Sequence, residues 1–149
     1  MRHRSRPRLA LAVAVAAALL VGASEPGGDI SLTVTGLRST KGQVLICLTR
    51  EADEFPDCSK SADARTAIVP ATLPKATFAR LPQGRYAISV LHDENGNGKA
   101  DKTFGLIPRE GFGFSRDAPV RMGPTTFAQA AFAVSGDDVT QSIRMRYLM

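Results

Sequence analysis

The C-terminal run Ser142-Ile143-Arg144-Met145-Arg146-Tyr147-Leu148-Met149 places Ile143, Met145, Tyr147 and Met149 on one side of a period of two. Ser142, Arg144 and Arg146 fall on the other side. Successive side chains of an extended chain point to opposite faces, so this pattern reads as a strand with one face on a core. The same period recurs upstream. Ile30, Leu32 and Val34 alternate with Ser31, Thr33 and Thr35, and Val44, Ile46 and Leu48 share one face of the next run. Cys47 falls on the opposite face of that run with Leu45. Further short strands are expected over 65–69, 76–81 and 86–91 and near 131–135. Tyr86, Ile88 and Val90 share a face of the strand over 86–91.

Turn chemistry separates these runs. Leu81-Pro82-Gln83-Gly84 and Gly136-Asp137-Asp138 are turn sequences, and Thr125-Thr126 after Pro124 caps one short helical turn over 127–130. No long amphipathic helix alternates with the strands, which excludes βαβ architectures. About seven short strands predict an all-β fold, an antiparallel Greek-key β-sandwich.

The 149 residues amount to one domain, and 44% hydrophobic residues are too many for a disordered chain. The formal charge of +5 is unevenly placed. Arg2, Arg4, Arg6 and Arg8 crowd the first eight positions, and without them the chain is almost balanced. The basicity therefore reads as an address, and nucleic acid is excluded as a partner. The apolar run over 9–21 ends in Val21-Gly22-Ala23, which satisfies the small-residue rule for signal cleavage. Thirteen apolar residues fall short of the ~20 that a helix needs to cross a bilayer. Residues 1–23 are thus expected to be a signal peptide and 24–149 a single β-sandwich domain. The mature product is expected to be periplasmic or extracellular, with no membrane span.

Two cysteines, Cys47 and Cys58, remain in that product. In an oxidising compartment such a pair is expected to form a structural disulfide. The loop over 50–63 between and beyond them is acidic and broken by Pro56, with Phe55 expected to pack inward as an anchor.

Little catalytic chemistry is marked out. His92 is the only histidine after the signal, and there is no G-x-S-x-G elbow or second base to complete a triad. One histidine cannot assemble a catalytic zinc site. His92 reads as a packed or rim residue.

Asp93-Glu94-Asn95-Gly96-Asn97-Gly98-Lys99-Ala100-Asp101 is different. Asp93, Asn95, Asn97 and Asp101 occupy relative positions 1, 3, 5 and 9, with Gly98 at position 6. That is most of an EF-hand calcium loop, with Lys99 at position 7 supplying only its backbone carbonyl. Position 12 is Phe104, so the bidentate acid is missing. Two charged ligands and no twelfth imply a calcium dissociation constant on the order of 10⁻⁴–10⁻³ M. A glycine-rich hairpin turn accounts for the same residues, and both readings stand.

Phe104-Gly105-Leu106-Ile107-Pro108-Arg109-Glu110-Gly111-Phe112-Gly113-Phe114-Ser115 falls outside any strand pattern. It reads as a long ordered loop, either a cover over a sheet edge or a binding surface.

Gly84-Arg85-Tyr86-Ala87-Ile88, the 92–101 block and the run over 105–115, taken in tandem, resemble domain-of-unknown-function family 2141. The resemblance covers most of the mature chain. It implies a transthyretin-like or collagen-adhesin B-type sandwich in a small exported bacterial protein, and it supplies no catalytic residues. Two functional classes follow. One is a non-enzymatic envelope module, calcium-stabilised, that binds a ligand or partner. The other is a secreted hydrolase using carboxylates near the 93–101 loop.

Overall fold

The computed structural model describes residues 27–103, 107–121, 123 and 125–149. The expected signal peptide over 1–23 lies outside them. The strands in chain order are β1 Gly28–Thr35, β2 Gln43–Thr49, β3 Arg65–Pro70, β4 Lys75–Leu81 and β5 Gly84–Asp93. They continue as β6 Lys102–Thr103, β7 Ile107–Pro108, β8 Gly111–Phe114, β9 Phe132–Val134 and β10 Val139–Arg144. One sheet has the order β10-β1-β4. The other runs β3-β2-β5-β8, with β9 also on β5, and β6 and β7 form a small separate ribbon. The fold is an all-β sandwich, as the alternating runs predict.

The two sheets enclose the main core. Ile30, Leu32 and Val34 of β1 meet Val44, Ile46 and Leu48 of β2, Ile88 and Val90 of β5, and Ile143 of β10. Each such side chain contributes about 1.5–3 kcal/mol when fully buried. β5 is buried on both faces. Its Ala87 belongs to a second apolar cluster outside the larger sheet, with Phe55, Phe112, Phe114, Ala118 and Ala130. Phe55 is 9% exposed and meets Phe114 and Phe127 edge to face, the anchoring expected of it. Cys47 and Cys58 are disulfide-bonded, with Cα atoms 5.8 Å apart. Ser89 Oγ donates to the Pro56 carbonyl at 2.6 Å, so the loop is tied to β5 as well as to β2.

The helical turn α1, Phe127–Ala130, forms where the sequence places it. Thr126 and Gln129 close a capping box, each side chain accepting from the other's backbone N–H. On the same edge of β5, β9 pairs residues 84–86 and β8 pairs residues 89–92. Between them the buried Ser115 hydroxyl accepts from the Ile88 N–H at 2.9 Å and donates to the Ala130 carbonyl at 2.6 Å.

Three features depart from the sequence expectation. First, β1 and β10 pair in parallel, from Ile30 opposite Val139 to Thr35 opposite Arg144. Alternation states which face a residue takes, and nothing about the direction of the neighbouring strand. Second, β10 ends at Arg144, short of the run to Met149. The Met145 N–H donates to the Thr35 carbonyl at 2.8 Å, and Arg146 then exchanges two backbone bonds with Phe112 at 2.8 and 3.0 Å. The chain thereby passes from the smaller sheet to the larger one while Met145 stays in the core.

Third, Gly111–Phe114 is the strand β8 and not loop. Phe112 and Phe114 point into the outer cluster, and Gly111 and Gly113 turn to the inner side. A Cβ on Gly113 would stand 2.6 Å from Ile143 Cγ2, and one on Gly111 would collide with the Tyr147 ring. The C-terminal segment lies close on β8 only because glycine occupies both positions.

Candidate metal centre

β5 ends in His92 and Asp93, both fully buried. His92 Nδ1 lies 2.7 Å from Tyr147 Oη, and Nε2 lies 2.9 Å from the Lys41 carbonyl. A carbonyl only accepts, so Nε2 carries a proton, and in the neutral ring Nδ1 accepts from the tyrosine. Both ring nitrogens are thus spent on holding the strand end, as the packed reading of His92 expects. Burial raises the Tyr147 hydroxyl above its ordinary value.

Beyond His92 the chain curls. Gly96 and Gly98 take φ of 70° and 74°, where a side chain is costly, and the backbone amides turn inward. Asp93 Oδ1 accepts from the Asn97 N–H at 3.1 Å, and Oδ2 accepts from the Gly98 N–H and from Gln43 Nε2, each at 2.8 Å. Asn95 Oδ1 accepts from the Asn97 N–H at 3.1 Å, and Asn97 Oδ1 accepts from the Lys99 N–H at 2.8 Å. The two asparagine amides donate to Asp101, at 2.7 Å from Asn95 and at 3.0 and 3.1 Å from Asn97. Asp93, Asn95, Asn97 and Asp101 are thus brought into one curl. Lys99 is exposed and joins it through its backbone N–H, not through the carbonyl that the loop spacing assigns to it.

Burial pushes the Asp93 carboxyl upward. Hydrogen bonds from Gln43, Gly98, Asn97 and Gly96 outweigh it and leave Asp93 below its ordinary value. Beside the curl, Arg38 grips Glu94 Oε2 through Nε at 2.9 Å and Nη2 at 2.5 Å, and Ser39 Oγ donates to Oε1 at 2.6 Å. The Arg38 hydrogen bond is the main reason the Glu94 carboxyl falls to about 2. Glu94 is thereby a fastening of the rim, held by Arg38 and Ser39.

Glu110 was not among the residues expected here. The β6–β7 ribbon turns the chain back, so that the Arg109 N–H reaches the Asp101 carbonyl at 3.0 Å. Glu110 follows, 5% exposed, and its Oε2 accepts from the Asp101 N–H at 3.1 Å. Its Oε1 is buried without a hydrogen-bond donor. Burial, then the charges of Asp93 and Asp101, hold the Glu110 carboxyl above its usual value against the Asp101 N–H. A hydrogen bond between the Glu110 and Asp93 carboxyls needs a proton on one of them, because two ionised carboxylates offer no donor. The one sequence signal for Glu110 was an acid set just before the Gly-Phe alternation.

As it stands the curl is closed on itself. Among the described residues no three His, Cys, Asp or Glu side chains are arranged to hold a metal, and Asp101 is turned toward the asparagine amides. One surface cleft borders the curl, between Gly42, Gln43 and Gly96 on one side and Ile68, Val69 and Pro70 on the other, and a second lies between Arg50, Asp63, Arg65 and Tyr86. Neither is lined by Asp93, Asp101 or Glu110.

The fold and this polar curl define a small disulfide-bonded β-sandwich, and among the described residues no helix is long and apolar enough to cross a membrane. A family model described as an uncharacterized protein conserved in bacteria, DUF2141, matches residues 32–142, and the chain belongs to that family. No curated protein and no solved structure matches it.

Proposed function

We propose that the chain is an exported, non-enzymatic module of the bacterial envelope whose 93–101 curl takes a calcium ion that stabilises the sandwich. The observation that carries this reading is the gathering of Asp93, Asn95, Asn97 and Asp101 around the left-handed Gly98. Calcium favours six to eight oxygen ligands in flexible geometry, which a curl of carboxylates, amides and carbonyls supplies. The disulfide and the basic-apolar N-terminus support export. In that setting a rigid sandwich serves to present a surface to an envelope ligand or partner. The hydrolase alternative draws on the raised Glu110 beside the lowered Asp93, the opposed pair that acid–base chemistry uses. Neither carboxyl lines the clefts described above, although Gln43, which donates to Asp93, lines the first of them, and with both carboxyls buried the structural reading leads.

Thermal unfolding tests it. Calcium at ten times its dissociation constant should add about 1.4 kcal/mol, a rise of a few degrees in Tm. Magnesium, which keeps its waters and demands octahedral geometry, should do less. Asp93→Ala should remove the calcium response. An equal rise with both ions, or none at 10 mM calcium, leaves only a glycine-rich turn.

A further inference from the structure

The local loop lacks an acid at its twelfth position, where Phe104 stands. The tertiary structure places one beside it from another strand. β5 and β8 pair antiparallel with His92 opposite Gly111, so the next residues outward, Asp93 and Glu110, adjoin across the two strands. Glu110 is buried, one oxygen is held by the Asp101 N–H, and the other has no donor. Among the described residues no Lys or Arg forms an ion pair with Asp93, Asp101 or Glu110, whereas Arg38 is committed to Glu94. A buried carboxylate oxygen without a donor, set between two further carboxylates, is costly unless a proton or a cation joins it.

We propose that Glu110 is the acidic ligand the local sequence lacks, and that a divalent cation held between the 93–101 curl and Glu110 clamps the start of β8 to the end of β5. The proposal rests on the calcium reading above. Binding requires Asn95 and Asn97 to turn their amide oxygens inward about the terminal torsion, releasing Asp101 and giving up the Asn97 and Lys99 N–H bonds that those oxygens now accept, a loss the cation's own bonds must outweigh. The cation then sees three carboxylates instead of two. It also couples elements that a contiguous twelve-residue loop would leave independent, because β8 in turn holds the C-terminal segment through Phe112 and Arg146.

The test uses the mature chain with calcium chloride as the probe. Glu110→Gln keeps an oxygen to accept the Asp101 N–H and removes only the charge. By calorimetry the variant should bind calcium roughly tenfold or more weakly, the scale on which ligand charge tunes such sites. Its Tm should equal or exceed the parent's in chelator and fall below it in calcium. Calcium should slow amide exchange over 111–114 in the parent and not in the variant. Equal affinities in parent and variant overturn this proposal and leave the calcium reading intact, whereas a parent that binds no calcium ends both. Should the variant not fold, the parent carrying ¹³C-labelled glutamate carboxylates decides the matter by infrared spectroscopy. A calcium-dependent shift of a glutamate carboxylate band is expected, and its absence overturns the proposal.

Discussion

β5 is sealed in opposite ways along its length. Over Ala87 and Ser89 the 50–63 loop lies on it, with Phe55 packed against Phe114 and the chain stapled by Cys47–Cys58. At Asp93 the seal is a polar curl whose members are carboxylates, amides and backbone N–H groups. The first seal excludes water by apolar area and a covalent bond, and needs nothing from solution. The second buries charge, and its cost depends on what proton or cation is at hand. One strand thus carries an apolar, covalently stapled fastening at one place and a charge-burying one at another.

That contrast can be broken experimentally. The largest effect is expected at the apolar seal, where Phe55→Ala should cost about 3–5 kcal/mol in urea unfolding, equally in calcium and in chelator. A calcium-dependent loss would show that the two seals are coupled. Next, Cys47→Ser with Cys58→Ser should cost about 2–3 kcal/mol, the loop-closure value for a bridge of this span, and should leave the calcium shift unchanged. Native protein should show no free thiol until reduced.

The smallest effect belongs to the rim of the polar seal. Glu94 sits at about 2 in the folded protein against an ordinary 4.5, so its contribution is present above pH 4.5 and is lost as pH falls toward 2. Arg38 is 40% exposed at its side chain, so screening reduces the contribution to about 1 kcal/mol or less. Unfolding in chelator from pH 6 down to 2 should show this loss in the parent and a flatter curve in Glu94→Gln. Identical curves would mean the Arg38 grip adds nothing to stability.

How far each region could be read beforehand follows from what its residues signal. Ile30, Leu32, Val34 and Ile143 announce strands because their apolar side chains recur at the period of a pleat. Thr125 and Thr126 after Pro124 announce a helix start because capping is a contact between near neighbours, and the structure adds Gln129 as the other half of the box. In the sequence Gly111–Phe114 reads as loop because glycine has no side chain to count as apolar and weakens a strand taken alone. It becomes a strand because Ile143 and Tyr147 press on the positions where only glycine fits.

The sequence by itself determined the strand faces, the capped turn, the cysteine pair and the alternating oxygens from Asp93 to Asp101, all of which depend on spacing within a few residues or on residue type. Only the tertiary structure decided that β1 and β10 run parallel, that the C-terminal segment changes sheets at Met145 and Arg146, and that Glu110 is buried against Asp101. These are contacts between distant parts of the chain. Local periodicity carries no record of direction or partner, so they are settled by which arrangement buries the apolar faces and leaves the fewest polar groups unpaired.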